Sequence, residues 1–194
     1  MRNLAKTVLF FTICIFLAAP AGAAKEFLTG KEIEKIQDTY EIDARVRIYM
    51  EAAALRLKTA EERLTGKESA PGDPLEFFTP EDMLDSYYRI LKSVMTNIDD
   101  AARNPKRDNG ITIDGRVMVN DKQRIGKALK QLKSETEKDL EELLILKKIA
   151  EEKKNEHLWD LINEAVEITN GAHEGAGYGL SKQPSPAVKD NKNK

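Results

Sequence analysis

Apolar residues recur every three or four positions over three long stretches of the chain, the pattern of amphipathic helices. The first stretch opens with Thr29 and, three residues later, Glu32. That pair predicts a capping box, in which each side chain accepts a hydrogen bond from the other residue's backbone N–H. Ile42, Val46, Tyr49, Ala53, Leu57, Ala60 and Leu64 then form one stripe, and Gly66 supplies a stop. Ile33, Ile36 and Tyr40 lie on a displaced stripe. The expectation is a single helix of roughly 50 Å whose buried face rotates near Asp43.

The linker GKESAPGDPLEFF carries two prolines and two glycines and is expected to be irregular. Thr79-Pro80-Glu81-Asp82 follows: a capping hydroxyl, a proline where its missing N–H costs little, and two acids at the positive end of the helix dipole. Phe78 is placed to pack on Met83 as a hydrophobic staple. The second helix is predicted from Pro80 to about Arg103. Leu84, Tyr87, Leu91, Val94, Ile98 and Ala101 form its stripe, and Tyr88, Met95 and Ala102 widen it. Asn104-Pro105 ends it.

Next, Ile111, Ile113, Val117 and Val119 flank Asp114-Gly115, which predicts a small β-hairpin between the second and third helices. A two-residue turn there puts the apolar pairs on opposite faces, whereas a three-residue loop gathers all four. Asn120 caps the third helix, with Ile125, Leu129, Leu132, Thr136, Leu140, Leu143, Leu146 or Lys147, and Ala150 as its stripe. After EEKKNEH the apolar positions resume as Leu158, Ile162, Ala165 and Thr169. One unbroken helix to Asn170 competes with a break near Lys154-Asn155; the break is preferred, because Asn155 can cap and a compact fold buries Trp159. Asn170 and Gly171 are expected to close the last helix. The fold class is therefore all-α, an antiparallel three- to four-helix bundle with a β-hairpin insertion, spanning residues 24–170.

The ends change the picture in a different way. Residues 1–23 read as a secretory signal peptide: Arg2 and Lys6 precede the apolar run from Thr7 to Ala18, and Ala21-Gly22-Ala23 is a small-residue cleavage site. The apolar run is too short for the roughly 20 residues of a spanning helix. The one cysteine, Cys14, lies within that run, preceded by Phe11-Thr12-Ile13 rather than the small residues of a lipoprotein signal. A chain without disulfides after cleavage favours a periplasmic setting. Residues 171–194, glycine-rich and then lysine-rich, read as a disordered tail by composition.

Of the 31 basic side chains, removing Arg2 and Lys6 leaves 29 against 33 acidic ones. A mildly acidic surface with interspersed charge speaks against nucleic acid or an anionic membrane as the main partner. Lys133/Glu137, Lys138/Glu142, Lys147/Glu151 and Lys148/Glu152, four apart, read as a solvated helix face.

Motifs that would carry chemistry are sparse. Gly175, Gly177 and Gly179 lack the G-x-G-x-x-G spacing and the strand-to-helix context of a phosphate loop. His157 and His173 are too few for a metal or haem site, and Met83 and Met95 read as core filler rather than axial ligands. Asp108-Asn109-Gly110 and Asp114-Gly115 fail an EF-hand alignment and suit turns. Asp99-Asp100 and Glu141-Glu142 are pairs made inevitable by an acid-rich chain. Trp159 and Tyr87-Tyr88 sit at core spacing, and Arg45 and Arg47 have acidic neighbours in Glu41, Asp43 and Glu51.

Leu28-Thr29-Gly30-Lys31-Glu32 resembles the L-T-x-x-Q motif of small periplasmic helical chaperones and metal-stress proteins, with glutamate in place of glutamine and five residues carrying the likeness. No catalytic, cofactor or metal residue is assigned. The expectation is an exported, non-enzymatic bundle that binds or scaffolds another envelope or secreted protein; the alternative is a bundle holding a metal, haem or small ligand between its helices.

Overall fold

The computed structural model describes residues 26–103, 112–113, 116–117 and 121–182. Five helices occur among them: α1 (Gly30–Gln37), α2 (Ile42–Leu64), α3 (Pro80–Arg103), α4 (Asp121–Lys153) and α5 (Glu156–Ser181). The expected leader, the residues after Lys182 and the Asp108 and Asp114 turns lie outside the described residues. No helix among those described is long and apolar enough to cross a membrane.

Local signals account for several helix ends. Thr29 accepts from the Glu32 N–H while the Glu32 carboxylate accepts from the Thr29 N–H, so the capping box is complete. Thr79 and Asp82 make the same reciprocal pair ahead of α3. After α2, Gly66 takes the left-handed conformation, φ 89°, that spares it a steric penalty. The link that follows is pinned by Arg63, whose guanidinium donates to Ser69 and to the carbonyls of Leu75 and Glu76.

The single first helix is not what forms. Residues 38–41 separate α1 from α2, with no proline or glycine at the break. Thr39 turns its hydroxyl back onto the Lys35 carbonyl, and the Arg45 guanidinium grips the Thr39 carbonyl at 3.1 and 3.3 Å. The displaced stripe is thereby freed to pack separately: Ile36 is buried, while Tyr40, in the turn, is 90% exposed.

Four helices make the bundle. α2 and α3 run antiparallel, since Arg45 near the start of one bonds Asn97 near the end of the other at 3.1 Å. So do α4 and α5: Lys147 reaches Asn163 at one end, and Gly179 abuts Leu129 at the other. The two hairpins lie side by side with α2 against α4 and α3 against α5, leaving α3 and α4 on a diagonal. Glu41 and Arg124 pair at 2.9 Å between the starts of α2 and α4, so those two run in the same direction.

On α4 Ile125, Leu129, Leu132, Thr136, Asp139, Leu143, Leu146 and Ala150 form a buried seam in alternating steps of four and three, with Gly126 and Ala128 buried beside it. This is the 3.5-residue period of a coiled-coil seam. Leu140, expected in the stripe, is only half-buried, and Asp139 takes its place. The facing seam on α5 is Leu158, Ile162, Ala165, Thr169, Ala172 and Ala176. α4 ends at Lys153, Lys154 follows as a non-glycine residue at φ 53°, and Asn155 restarts the chain by accepting from the Leu158 N–H, so the break falls where it was expected.

Three expectations are corrected. α5 does not stop at Asn170 but runs through Gly171, Gly175, Gly177 and Gly179 to Ser181. Gly171 and Gly175 are exposed on its outer face, whereas Gly179 lies against α4, where a Cβ would stand 2.9 Å from Leu129 Cδ1. Close helix approach, rather than chain loosening, explains at least that glycine. Trp159 is not core: it is 38% exposed, with the Lys147 ammonium 4.8 Å from its ring centroid. The β-hairpin is not supported as part of the fold. Only Thr112–Ile113 and Arg116–Val117 pair, in a register that sets each apolar residue opposite a polar one, and among the described residues they touch no helix. A lone two-stranded ribbon is marginal in water.

Candidate functional site

The polar residues that the fold places out of water are the candidates for chemistry, because burying a polar group costs free energy unless it is bonded. Halfway along the bundle three such side chains meet, one from each of α3, α4 and α5. The Tyr87 hydroxyl lies 3.0 Å from Asp139 Oδ2 and 2.8 Å from Thr169 Oγ1. Thr169 in turn donates to the Ala165 carbonyl at 2.6 Å. Tyr87 and Thr169 are fully buried and Asp139 is 3% exposed.

Helix geometry brings them together. Tyr87 stands between Leu84 and Leu91 on the buried face of α3, Asp139 between Thr136 and Leu143 on that of α4, and Thr169 between Ala165 and Ala172 on that of α5. One turn along α4, Thr136 donates to the Leu132 carbonyl at 2.7 Å and has His173 Nδ1 3.3 Å away. On the other side of Asp139, Glu142 has one carboxylate oxygen buried without a hydrogen-bond partner.

Burial pushes the Asp139 carboxyl up to about 7; the contact with Tyr87 opposes this, and the charges of Glu142 and Glu135 add to it. The Tyr87 hydroxyl is raised well above its ordinary value, first by burial and then by the charge of Asp139. Glu142 is raised too, by burial and by Glu61 on α2, against the pull of Lys58. No Lys, Arg or His among the described residues makes an ion pair with Asp139. The cluster can hold a proton in the core; with all three groups closed to solvent, it has no open face for a substrate.

A second buried polar group lies outside the four-helix core. Arg56, fully buried on α2, donates to both carboxylate oxygens of Glu32 on α1, at 2.7 and 3.1 Å, and to the Phe27 carbonyl at 3.1 Å. With the Arg89 guanidinium 4.6 Å from the centroid of the Phe27 ring, this clamps α1 and the segment before it onto the α2/α3 hairpin.

The residues weighed from the sequence are mostly scattered. His157 is exposed and His173 half-buried; sixteen residues apart on α5, they are separated by about 24 Å of helix. Met83 is core, and Met95 packs partly against it. Asp99, Asp100 and Glu141 are exposed, and Arg47 is exposed while Arg45 holds the α1–α2 turn. Lys138 pairs with Glu135 rather than Glu142, and Lys147 reaches Asn163. No group of three or more metal-ligating side chains occurs among the described residues. Asp139 escaped the sequence reading, although the unbroken four-three spacing through Thr136 and Leu143 points to it. No protein-family model, curated protein or solved structure matches this chain.

Proposed function

We propose that this is an exported, periplasmic, non-enzymatic helical bundle that acts by binding or scaffolding another envelope or secreted protein. The observation that carries the reading is the consumption of the interior. Apolar side chains fill the seams of α2 to α5, and the buried polar groups of the midlevel bond one another. What is left to act is the outer surface, where Tyr40, Phe77, Leu144 and Tyr178 are each more than half exposed. Export rests on the leader-like first 23 residues.

Crosslinking in intact cells followed by capture tests this, with the whole chain compared with one ending at Lys182. Truncation at Asn170 would cut α5 and is not a test of a tail. Recovery of one specific envelope partner, together with a cell-derived N-terminus at Ala24, supports the reading. A cytoplasmic protein with an intact leader sinks it. A second reading, a small ligand held between the helices, draws on the midlevel polar cluster; native mass spectrometry of cell-derived protein would show the added mass.

A further inference from the structure

Hydrogen atoms can be counted at the midlevel cluster. It contains three short oxygen–oxygen contacts: Asp139 to Tyr87 at 3.0 Å, Tyr87 to Thr169 at 2.8 Å, and Thr169 to the Ala165 carbonyl at 2.6 Å. Each needs one hydrogen between its oxygens. The Ala165 carbonyl can only accept, and the two hydroxyls carry one hydrogen each. Two hydrogens cannot fill three contacts, so the third must come from the Asp139 carboxyl. The chain then runs in one direction: Asp139 donates to Tyr87, Tyr87 to Thr169, and Thr169 to Ala165.

We infer that Asp139 is kept as the neutral carboxylic acid in the folded bundle, and that its proton completes a polar clasp joining the α2/α3 hairpin to the α4/α5 hairpin. Tyr87 is the member from the first hairpin, so both of its contacts, to Asp139 on α4 and to Thr169 on α5, cross between the two hairpins. Removal of the proton turns Tyr87 into the donor toward Asp139 and strips a hydrogen from one of the other two contacts. It also leaves a carboxylate in the core with no cation paired to it.

The surroundings agree with this from every side. On α4, Asp139 has Glu135 and Glu142 a turn away in either direction, and Lys138 beside it already holds both Glu135 oxygens. α3 contributes the hydroxyl of Tyr87, and α5 contributes Thr169 and, one turn on, His173, which is engaged with Thr136. From α2 come Lys58 and Glu61, and both act on Glu142. None of these supplies a bonded positive charge to Asp139.

The folded protein therefore holds one proton that the unfolded chain gives up near pH 4, and the folding equilibrium is linked to it. Urea unfolding of the wild type and of Asp139→Asn between pH 5 and pH 6.5 reads this directly. Asparagine keeps a donor facing Tyr87 at every pH. The ratio of the wild-type to the variant unfolding constant should rise about tenfold per pH unit over that range. A ratio independent of pH overturns the inference. Should the variant fail to fold, carbon NMR of the wild-type aspartate carboxyls decides instead: one should titrate near neutral pH, and the inference falls if all of them titrate below about pH 5.

Discussion

Glu32 and Asp139 are both withdrawn from water, and the fold treats them in opposite ways. Glu32 meets Arg56, which offers two charge-assisted bonds, and the Thr29 N–H at 2.7 Å adds another. Burial opposes its charge, yet the bonds from Arg56 and Thr29 outweigh that, and its pKa falls below the ordinary carboxylate value. Asp139 meets a hydroxyl and no cation, so burial wins and its carboxyl rises to about 7. The depth of a carboxylate therefore does not decide its charge here; the partner does. One site is an ion pair that straps an outer helix on, and the other is a neutral chain of hydroxyls inside the core.

The comparison breaks most violently if the ion pair loses one member. Glu32→Ala leaves the Arg56 guanidinium buried with only the Phe27 carbonyl, and its Nε has no partner even in the intact protein. Orphaning a buried charge costs about 3–5 kcal/mol. Urea unfolding should show a loss of that size, and amide exchange should become fast along α1 before the four-helix core opens. Replacing both partners, Glu32→Leu with Arg56→Met, should recover most of the loss. Equal instability of the single and double variants would mean that the charge pair itself, rather than the orphan, sets the cost.

The two sites differed as sharply in how legible they were. Thr29 and Glu32 stand at capping-box spacing and Thr79-Pro80 announces α3, because caps are local chemistry written within four residues. Asn155 was readable for the same reason. Asp139 was not, because a charged residue among Glu135, Lys138 and Glu142 looks like a solvated face, and Leu140 next to it offers a plausible substitute. Only the partners, on helices 52 residues away for Tyr87 and thirty for Thr169, make a buried acid tolerable there. The glycines of α5 misled in the other direction. Counted alone they read as breakers, whereas Ala165, Thr169, Ala172, Ala176 and Gly179 keep the four-three step across them. The α1–α2 break depends on Arg45 folding back onto Thr39, which no local pattern reports.

The next effect in size comes from pH, and the two carboxylates act with opposite sign. The folded pKa of Glu32 is depressed, so its contribution is present above the unfolded value of about 4 and is lost as the solution becomes more acidic. The folded pKa of Asp139 is raised, so its contribution is complete below about pH 4 and is lost as pH rises through about 7. Across that range Asp139 alone shifts stability by about 4 kcal/mol. Stability should peak near pH 5 and decline toward pH 8, and Asp139→Asn should flatten the upper limb only. A maximum at pH 7 or above would mean that Asp139 is ionised in the fold like Glu32.

A smaller loss is expected from removing the hydroxyl in the middle of the chain. Tyr87→Phe leaves Asp139 and Thr169 unbonded to each other's side of the core, a cost of about 1–3 kcal/mol. The cost should be larger at pH 8 than at pH 5, because the ionised Asp139 then loses the donor facing it. Thr169→Val, similar in shape, should cost about 1 kcal/mol at pH 5 and less at pH 8, where the Tyr87 hydrogen already turns to the ionised Asp139. Were the two variants to show the same pH dependence, Tyr87 would not be the link between the acid and α5.

The smallest effect concerns the helix that seats Thr169. If α5 ended at Asn170, Thr169 would hang in a fraying last turn, and a clasp built on it would be weak. In the structure eleven further residues follow within the helix, and a Cβ on Gly175 would meet nothing within 4 Å. Gly175→Ala should therefore stabilise the protein by roughly 0.5–1 kcal/mol, the ordinary gain of alanine over glycine inside a helix. Gly179→Ala makes the same local gain but drives its methyl to 2.9 Å from Leu129 Cδ1. Displacing that side chain should cancel most of the benefit and leave a net change near zero. Thermal unfolding of the two variants separates the cases: no gain from Gly175→Ala would mean that the helix frays before it, and that the neutral cluster, unlike the ion pair on α1, is held from one side only.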